Sequence, residues 1–167
     1  MHLPSGWSTR IRDAELVEPE RCQRRVEGML AQHLSRTPHW PSLKAALAPL
    51  IESIPTSKYL HEIAEHLTRV LLEQAGWRGE ITRSSDLVVR QVRSSRLADL
   101  AERVGADVYL CGTGGAKYLS EAPFAEHGIQ VEYFDRPKRI DPATWEATRR
   151  LSAARALAVG DVAAEHQ

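Results

Sequence analysis

The sequence is short of features that would identify several protein classes. Two cysteines in 167 residues, Cys22 and Cys111, give no paired framework and no metal-ligand spacing, so neither a disulfide scaffold nor a cysteine-bound zinc is expected. Charge of one sign is also lacking, because Lys plus Arg and Asp plus Glu both total 22. A balanced chain has no overall field to attract nucleic acid, a membrane surface or an acidic partner. Binding must therefore come from a local site.

Long apolar runs are missing as well. The longest, around residues 45–54 and 153–159, fall far short of the roughly 18–20 residues that span a bilayer. The first seven residues have neither the basic start and apolar run nor the cleavage site of a signal peptide. We therefore expect a soluble, cytoplasmic protein. A chain of 167 residues, 43% hydrophobic and 26% charged, predicts a single domain over residues 1–167.

A helical period dominates the first half of the chain. Apolar side chains three and four positions apart predict helices from about residue 19 to 35, from Pro41 onward, and from residue 57 to 75. Pro49 indicates a kink or an early end in the second of these helices. A weak alternation over residues 10–16 predicts a possible edge strand.

The second half alternates short apolar runs with helical patterns. Strands are predicted at residues 79–82, 107–110 and 129–134. Helices are predicted at 94–104, over part of 118–127, and at 143–159. This order is typical of parallel strands joined by crossover helices. The expected fold class is α/β, with a short, mainly parallel sheet, flanking helices and a helical N-terminal half.

A glycine-rich turn directly follows the predicted strand at residues 107–110. Its glycines would let backbone N–H groups approach a phosphate or carboxylate, and Lys117 would neutralise that anion. The spacing matches neither a P-loop nor a dinucleotide fingerprint. In the alternative interpretation the glycines supply positive φ angles in a tight turn and Lys117 is solvated. The predicted anion-binding residues of the turn are Gly112, Thr113, Gly114, Gly115, Lys117 and Tyr118.

Further candidates lie beside this turn in the predicted fold. Ser84 and Ser85 follow one predicted strand, and Ser95 and Arg96 begin a predicted helix, so all four could face the same crevice. A helix cap and a surface charge are the alternatives for Ser95 and Arg96. The candidate catalytic residues are Cys111 and Lys117. Cys111 could be a nucleophile in an amide-lined turn, or simply a small buried side chain. The general base remains unassigned.

Histidine and tryptophan positions argue against two other kinds of site. His61 and His66 are five residues apart on a predicted helix, whereas a zinc-binding pair on one helix face requires a separation of four. Trp40, Trp77 and Trp145 lack the interleaved basic residues that accompany single-strand binding. No metal, no cofactor and no nucleic acid partner is assigned.

Several short segments, taken in their order and spacing, resemble the WbqC-like protein family. The resemblance is densest in the second half and also includes segments near both ends, so it covers nearly the whole chain. The residues that carry it are Ile11-Arg12-Asp13, Pro38-His39-Trp40, Ser84-Ser85-Asp86-Leu87, Ser95-Arg96-Leu97-Ala98-Asp99-Leu100, Gly105-Ala106, Tyr109-Leu110-Cys111-Gly112-Thr113-Gly114-Gly115, Tyr118-Leu119, Phe124, Gly128-Ile129, Val131, Arg150-Leu151-Ser152-Ala153 and Gly160.

The resemblance implies a biosynthetic enzyme. Family members are associated with surface-polysaccharide and natural-product gene clusters, which implies acyl or aminoacyl transfer, or amide-bond formation, on an amino-bearing intermediate. The expected ligand is a small-molecule or nucleotide-linked intermediate. Typical members begin with a strand-loop-helix segment rich in Gln, Pro, Tyr and Trp that has no match here, so we expect an N-terminally shortened member. The alternative is a non-catalytic accessory or ligand-binding protein, completed by a partner enzyme or a second copy.

Overall fold

The computed structural model describes residues 1–4, 6, 9–112, 114–135 and 140–160, without the side chains of Thr144 and Thr148. The chain divides into two compact units, Met1–Gly79 with Ala147–Gln167, and Glu80–Glu146. The single domain over residues 1–167 stays a prediction. The helices and strands of the described residues are α1 (Pro19–Leu34), α2 (Trp40–Ser53), α3 (Leu60–Gln74), α4 (Arg93–Arg103), β1 (Val108–Cys111), α5 (Ala122–Glu126), β2 (Gln130–Tyr133), α6 (Pro142–Thr148) and α7 (Ala153–Val159).

The first unit is built on one cluster of buried aliphatic side chains. Three- and four-residue spacing places Leu43, Leu47 and Leu50 on a single face of α2, and burial of this face stabilises the helix. α7 is fixed to the unit by a hydrogen bond from the His39 N–H to the Ala158 carbonyl, at 3.0 Å. The cluster comprises Leu34, Leu43, Leu47, Leu50, Ile51, Val70 and Ala158.

The second unit contains a two-stranded parallel sheet. β1 and β2 pair in register from Val108 with Gln130 to Cys111 with Tyr133. Parallel neighbours need a crossover connection, and the chain makes it through the glycine-rich turn and α5. The Tyr109 ring packs against Phe124 with centroids 4.7 Å apart. The buried cluster of this unit comprises Ala98, Ala101, Phe124 and Ile129.

The expected α/β fold is confirmed. The strands predicted at 107–110 and 129–134 form β1 and β2, and they pair in parallel. The helical N-terminal half is present as α1, α2 and α3. α4 and α5 flank the sheet of the second unit, within the segments where helices were predicted.

The strand predicted at residues 79–82 is wrong, because these residues adopt neither strand nor helix. The ring of Trp77 fills the space that a Cβ on Gly79 would occupy. Within residues 79–82, Ile81 alone is partly buried. A strand gains stability by burying one face against neighbours, and this segment has too little apolar surface to do so.

Two further predictions are corrected near the ends of the chain. Residues Ile11–Asp13 form a 3-10 helix rather than an edge strand, and Glu15 makes isolated bridges to His2 and Tyr59. The helix predicted over 143–159 is interrupted between α6 and α7. Ser152 begins a new helix there, because its side chain accepts a hydrogen bond from the Arg155 N–H at 3.2 Å.

Pro49 does not end α2, which continues to Ser53. A proline inside a helix removes one hydrogen bond to the carbonyl four residues earlier, here that of Ala45. Both Pro49 and Ala45 are exposed. Water can therefore reach the carbonyl that lost its partner, and the helix persists.

Candidate functional site

The glycine-rich turn lies at the carboxyl end of β1, where β2 also ends. The Phe134 N–H donates to the Cys111 carbonyl at 2.8 Å, which keeps the two strand ends together. After this point the chain folds back, and the Gly115 N–H donates to the Gly112 carbonyl at 2.8 Å. Gly115–Lys117 forms a short 3-10 helix. Thr113, also predicted to bind the anion, lies outside the described residues.

The three described glycines of the turn do not supply positive φ angles. Gly114 has φ −69° and ψ −31°, which any residue adopts. The positive φ angles of described glycines occur elsewhere, at Gly6, Gly76, Gly105 and Gly128. Positive φ angles are therefore not the reason for glycine at these three positions, whereas the exposure of Lys117 agrees with the solvated lysine of the alternative interpretation.

Steric contacts separate these glycines into two kinds. A Cβ on Gly112 or Gly114 would meet no atom of the described residues within 4 Å, so the backbone at both positions is open toward that part of the chain. A Cβ on Gly115 would collide with the Sγ of Cys111. Gly115 is thus required for packing, whereas Gly112 and Gly114 leave room for another molecule to approach the main chain.

Cys111 is buried beneath the turn. Cys111 is 3% exposed, and its thiol donates a weak hydrogen bond to the Gly112 carbonyl, with Sγ 3.5 Å from the oxygen. A reactive cysteine is partly exposed, in contact with the solution that carries its substrate. The burial of Cys111 favours the interpretation as a small core side chain.

Lys117 and Tyr118 project from the turn into solvent, and Tyr118 is 76% exposed. Lys117 forms no ion pair with any residue in the described part of the chain. A 3-10 helix of three residues aligns too few peptide dipoles to attract an anion strongly. The positive charge of the turn must therefore come from Lys117.

The start of α4 is tied to the segment that follows the turn. The Ser120 N–H donates to the Oγ of buried Ser94 at 2.9 Å. Ser95, which was predicted to bind the ligand, is the next residue of α4 and is partly buried. Arg96 lies two residues further along the helix, roughly 200° around its axis from Ser94. The Nε atom of Arg96 is buried and has no hydrogen-bond partner among the described residues.

Ser84 and Ser85 form part of an exposed 3-10 helix, Ser84–Asp86. The Ser85 hydroxyl donates to the Asp86 carboxylate at 3.2 Å. No hydrogen bond within the described part of the chain joins either serine to the glycine-rich turn. The strand that was predicted to bring them to the crevice does not form.

Glu121 and Tyr133 form a side-chain pair that the sequence analysis missed. The Tyr133 hydroxyl donates to Glu121 Oε1 at 2.8 Å. This hydrogen bond, followed by burial and the charges of Glu121 and Cys111, raises the pKa of Tyr133. Tyr133 is the register partner of Cys111. The predicted parallel strands place Tyr133 beside Cys111, but nothing in the sequence indicates that Glu121, at the start of α5, accepts its hydrogen bond.

A second missed cluster surrounds Asp99. Asp99 is 8% exposed, and its carboxylate accepts hydrogen bonds from the Arg90 N–H at 2.8 Å and from Arg90 Nη2 at 2.6 Å. His127 Nε2 lies 3.4 Å from Asp99, and its Nδ1 lies 3.0 Å from Glu102. The hydrogen bonds from Arg90 hold the pKa of Asp99 well below its usual range. These contacts fix the segment before α4 to the helix.

Two surface grooves lie on the first unit. One, of about 380 Å³, is lined by residues of α1 and α2 that include Leu30, Trp40 and Lys44. The other, of about 430 Å³, is lined by residues of α1 and α7 that include Met29, His33 and Arg155. Neither groove contains a residue predicted from the sequence to bind a ligand or to act in catalysis.

The described residues lack two features, a metal-binding cluster and a membrane-spanning helix. No three His, Cys, Asp or Glu side chains in that part of the chain stand close enough together to hold a metal ion. None of the helices described there has the length and apolar character needed to cross a membrane.

Comparison with known proteins assigns the family. No curated protein and no solved structure matches the chain. The sequence model of the WbqC-like protein family matches residues 3–146, which is most of the 167 residues. This match spans the glycine-rich turn, both strands and the Glu121–Tyr133 pair. The chain therefore belongs to the WbqC-like protein family.

Proposed function

We propose that this WbqC-like protein is a biosynthetic enzyme that transfers an acyl or aminoacyl group to an amino-bearing intermediate, or forms an amide bond on it. The intermediate is a small molecule or is linked to a nucleotide, and it carries a phosphate or carboxylate that binds at the glycine-rich turn. The product belongs to natural-product or surface-glycan biosynthesis. A protein partner or a second copy of the chain supplies the groups that this site lacks.

The observation that carries the proposal is open backbone beside Lys117, a cation that forms no ion pair with the described residues. Gly112 and Gly114 leave their main chain unobstructed, and exposed Lys117 follows three residues later. Both features lie at the carboxyl end of parallel strands, the usual side for ligands in such sheets. Main-chain N–H groups together with a lysine are a common way to hold a phosphate or carboxylate.

The roles of the turn residues differ in this proposal. Gly112, Thr113 and Gly114 offer backbone to the anion, Lys117 neutralises it, and Tyr118 covers it with an exposed ring. Gly115 and Cys111 pack together and hold the turn in shape. Ser95 and Arg96 at the start of α4, and Ser84 and Ser85, bind other parts of the ligand.

A non-catalytic accessory protein is the second candidate. It is favoured by the burial of Cys111, which leaves the described part of the turn without an accessible thiol nucleophile. Such a protein would keep the anion site and present the intermediate to a partner enzyme. It would bind the same ligands without converting them.

A thermal-shift screen tests the anion site. The panel comprises sugar phosphates, nucleotides, nucleotide sugars and amino acids, because a ligand that binds the native state stabilises it by about 2.7 kcal/mol at 100 times its Kd. Gly114→Ala and Lys117→Ala should each reduce the shift, since one places a methyl group in the ligand's approach and the other removes the cation. Gly28→Ala and Lys44→Ala are the controls, because they make the same changes at exposed positions in α1 and α2. Neither control should reduce the thermal shift.

The outcomes separate the candidates. A ligand whose shift survives both turn variants excludes the turn as its site. A ligand whose thermal shift disappears in both variants establishes the anion site. Incubation of the wild-type protein with this ligand and an acyl or aminoacyl donor then shows whether a product forms. Binding without product, in the presence of every donor class, favours the accessory protein.

A further inference from the structure

We infer that Glu121, oriented by Tyr133, binds the ammonium group of the amino-bearing ligand. The inference rests on the proposed function, and it adds the chemistry of a second subsite. The ligand would carry opposite charges at two points, an anionic group on the glycine-rich turn and a protonated amine on Glu121. The turn residues of the proposed function bind the anion, and none of them recognises the amine.

The pair stands at the same end of the sheet as the turn. Tyr133 pairs in register with Cys111, the residue from which the turn begins. Residues paired across a sheet project from the same face, so Tyr133 extends on the face where Cys111 contacts Gly115. The Tyr133 hydroxyl then reaches Glu121, four residues after Lys117 in the segment that leads into α5.

The Glu121 carboxylate has capacity for a ligand. An ionised carboxylate offers about four acceptor positions, and the Tyr133 hydroxyl occupies one. Glu121 is exposed and forms no ion pair with any residue in the described part of the chain. A hydrogen bond from the phenol restricts the rotation of the carboxylate, so less entropy is lost when an ammonium group binds.

A purely structural role is the competing explanation. The bond between Tyr133 and Glu121 joins the end of β2 to the start of α5, and it would do so with an uncharged acceptor too. Glu121→Gln separates the two roles. Glutamine keeps a carbonyl oxygen for the Tyr133 hydroxyl but loses the negative charge that attracts an ammonium group.

Isothermal titration of the full chain with two sugar phosphates tests the inference. Glucosamine 6-phosphate and glucose 6-phosphate differ in a single amino group. We expect the wild-type protein to bind the amino sugar roughly tenfold more tightly, because a charge-assisted hydrogen bond has about that effect on affinity. Glu121→Gln should abolish this preference and leave the affinity for glucose 6-phosphate unchanged.

Two further variants complete the experiment. Tyr133→Phe removes the hydroxyl that orients Glu121 and should reduce the preference without abolishing it. Glu132→Gln makes the same change of charge on the opposite face of β2 and should leave the preference intact. Thermal unfolding of each variant verifies that it is folded before titration.

The results distinguish failure of the inference from failure of the proposed function. Equal affinity of the wild-type protein for the two sugars, or a preference that survives Glu121→Gln, overturns the amine subsite while the anion site stands. If neither sugar phosphate binds, the anion site is contradicted, and the amine subsite is overturned with it.

Discussion

Gly115 and Cys111 show how a single contact fixes the shape of the glycine-rich turn. Cys111 ends β1 with its thiol directed beneath the turn, and Gly115 passes so close to Sγ that no side chain fits there. The Gly115 carbonyl in turn accepts hydrogen bonds from the N–H groups of Tyr118 and Leu119, at 3.0 and 2.9 Å. The thiol therefore acts as a spacer that sets where the following backbone lies.

Gly115→Ala should lower the free energy of unfolding by about 1–3 kcal/mol, the usual cost of overpacking a core. Gly114→Ala, in open space at φ −69°, should leave this free energy unchanged or raise it by about 0.4–1 kcal/mol, because alanine lowers the conformational entropy of the unfolded chain. Urea unfolding measures both. The cost of Gly115→Ala should shrink in a Cys111→Ala background, because the colliding sulfur is gone. Strictly additive costs would contradict a direct contact.

The sequence placed the glycine-rich turn after β1 but did not show how each of its glycines packs. The order of strand, glycines and lysine was sufficient to place the turn at the end of β1. Nothing in the local sequence distinguishes Gly115, which packs against a thiol, from Gly114, which faces open space. The Tyr133 hydroxyl likewise reaches Glu121 through pairing of β1 with β2. Such contacts depend on tertiary structure, which a single sequence does not display.

Among the elements, those with strong periodicity were predicted well. α2 buries a stripe of side chains at helical spacing, and α3 packs Val70, Ile63 and Leu71 against the same cluster. β1 is a short apolar run, and β2 alternates polar and apolar residues. The failures were segments whose local pattern was outweighed by a specific contact. Ser152 starts α7 by capping it, and the Trp77 ring covers Gly79 where a strand was expected. A serine within a helical pattern is a weak signal until the hydrogen bond it accepts is known.

The segment before α4 has no regular structure of its own and depends on Asp99. Arg90 donates both its main-chain N–H and its guanidinium to this carboxylate. The Asp99 carboxylate thereby accepts the hydrogen bond from the Arg90 main-chain N–H that a backbone carbonyl would accept in a strand or helix. Apolar Val88 and Val92, on either side of Arg90, are 85% and 62% exposed, and Leu87 and Val89 are only partly buried, so no side chain of the segment is fully buried.

Asp99 should make the free energy of unfolding depend on pH in the acidic range. Because its pKa is lowered in the folded state, its contribution is fully present above the unfolded pKa of about 3.9 and is lost as the pH falls further, through the folded pKa. We expect the free energy of unfolding of the wild-type protein to decrease below about pH 4, and Asp99→Asn to be less stable at pH 7 with a weaker decrease. Urea unfolding at pH 7, 5, 4 and 3 measures this.

The matched control is Asp107→Asn, which changes an exposed carboxylate. It should retain the acid dependence of the wild-type protein. If Asp99→Asn also retains that dependence, the contact with Arg90 does not contribute to stability in solution.

At the scale of the whole molecule, the described residues form two buried clusters of unequal size. Seven aliphatic residues form the cluster of the first unit, and four residues form that of the second. Phe124 is fully buried in the smaller cluster, where it contacts the Tyr109 ring. Hydrophobic burial is the main favourable term in folding. The second unit therefore has less buried apolar surface to offset the conformational entropy that is lost when its chain is ordered. The candidate site belongs to this second unit.

Hydrogen exchange on two cavity-forming variants determines whether the units unfold separately. Phe124→Ala should cost about 3–5 kcal/mol and Leu47→Ala about 2–5 kcal/mol, each within its own cluster. If the units open separately, Phe124→Ala accelerates amide exchange in β1 and β2 and leaves α2 protected, whereas Leu47→Ala does the reverse. We expect this outcome, because each cluster is made of residues from one unit. Equal acceleration throughout, for both variants, would instead establish the single cooperative domain that the length of the chain predicts.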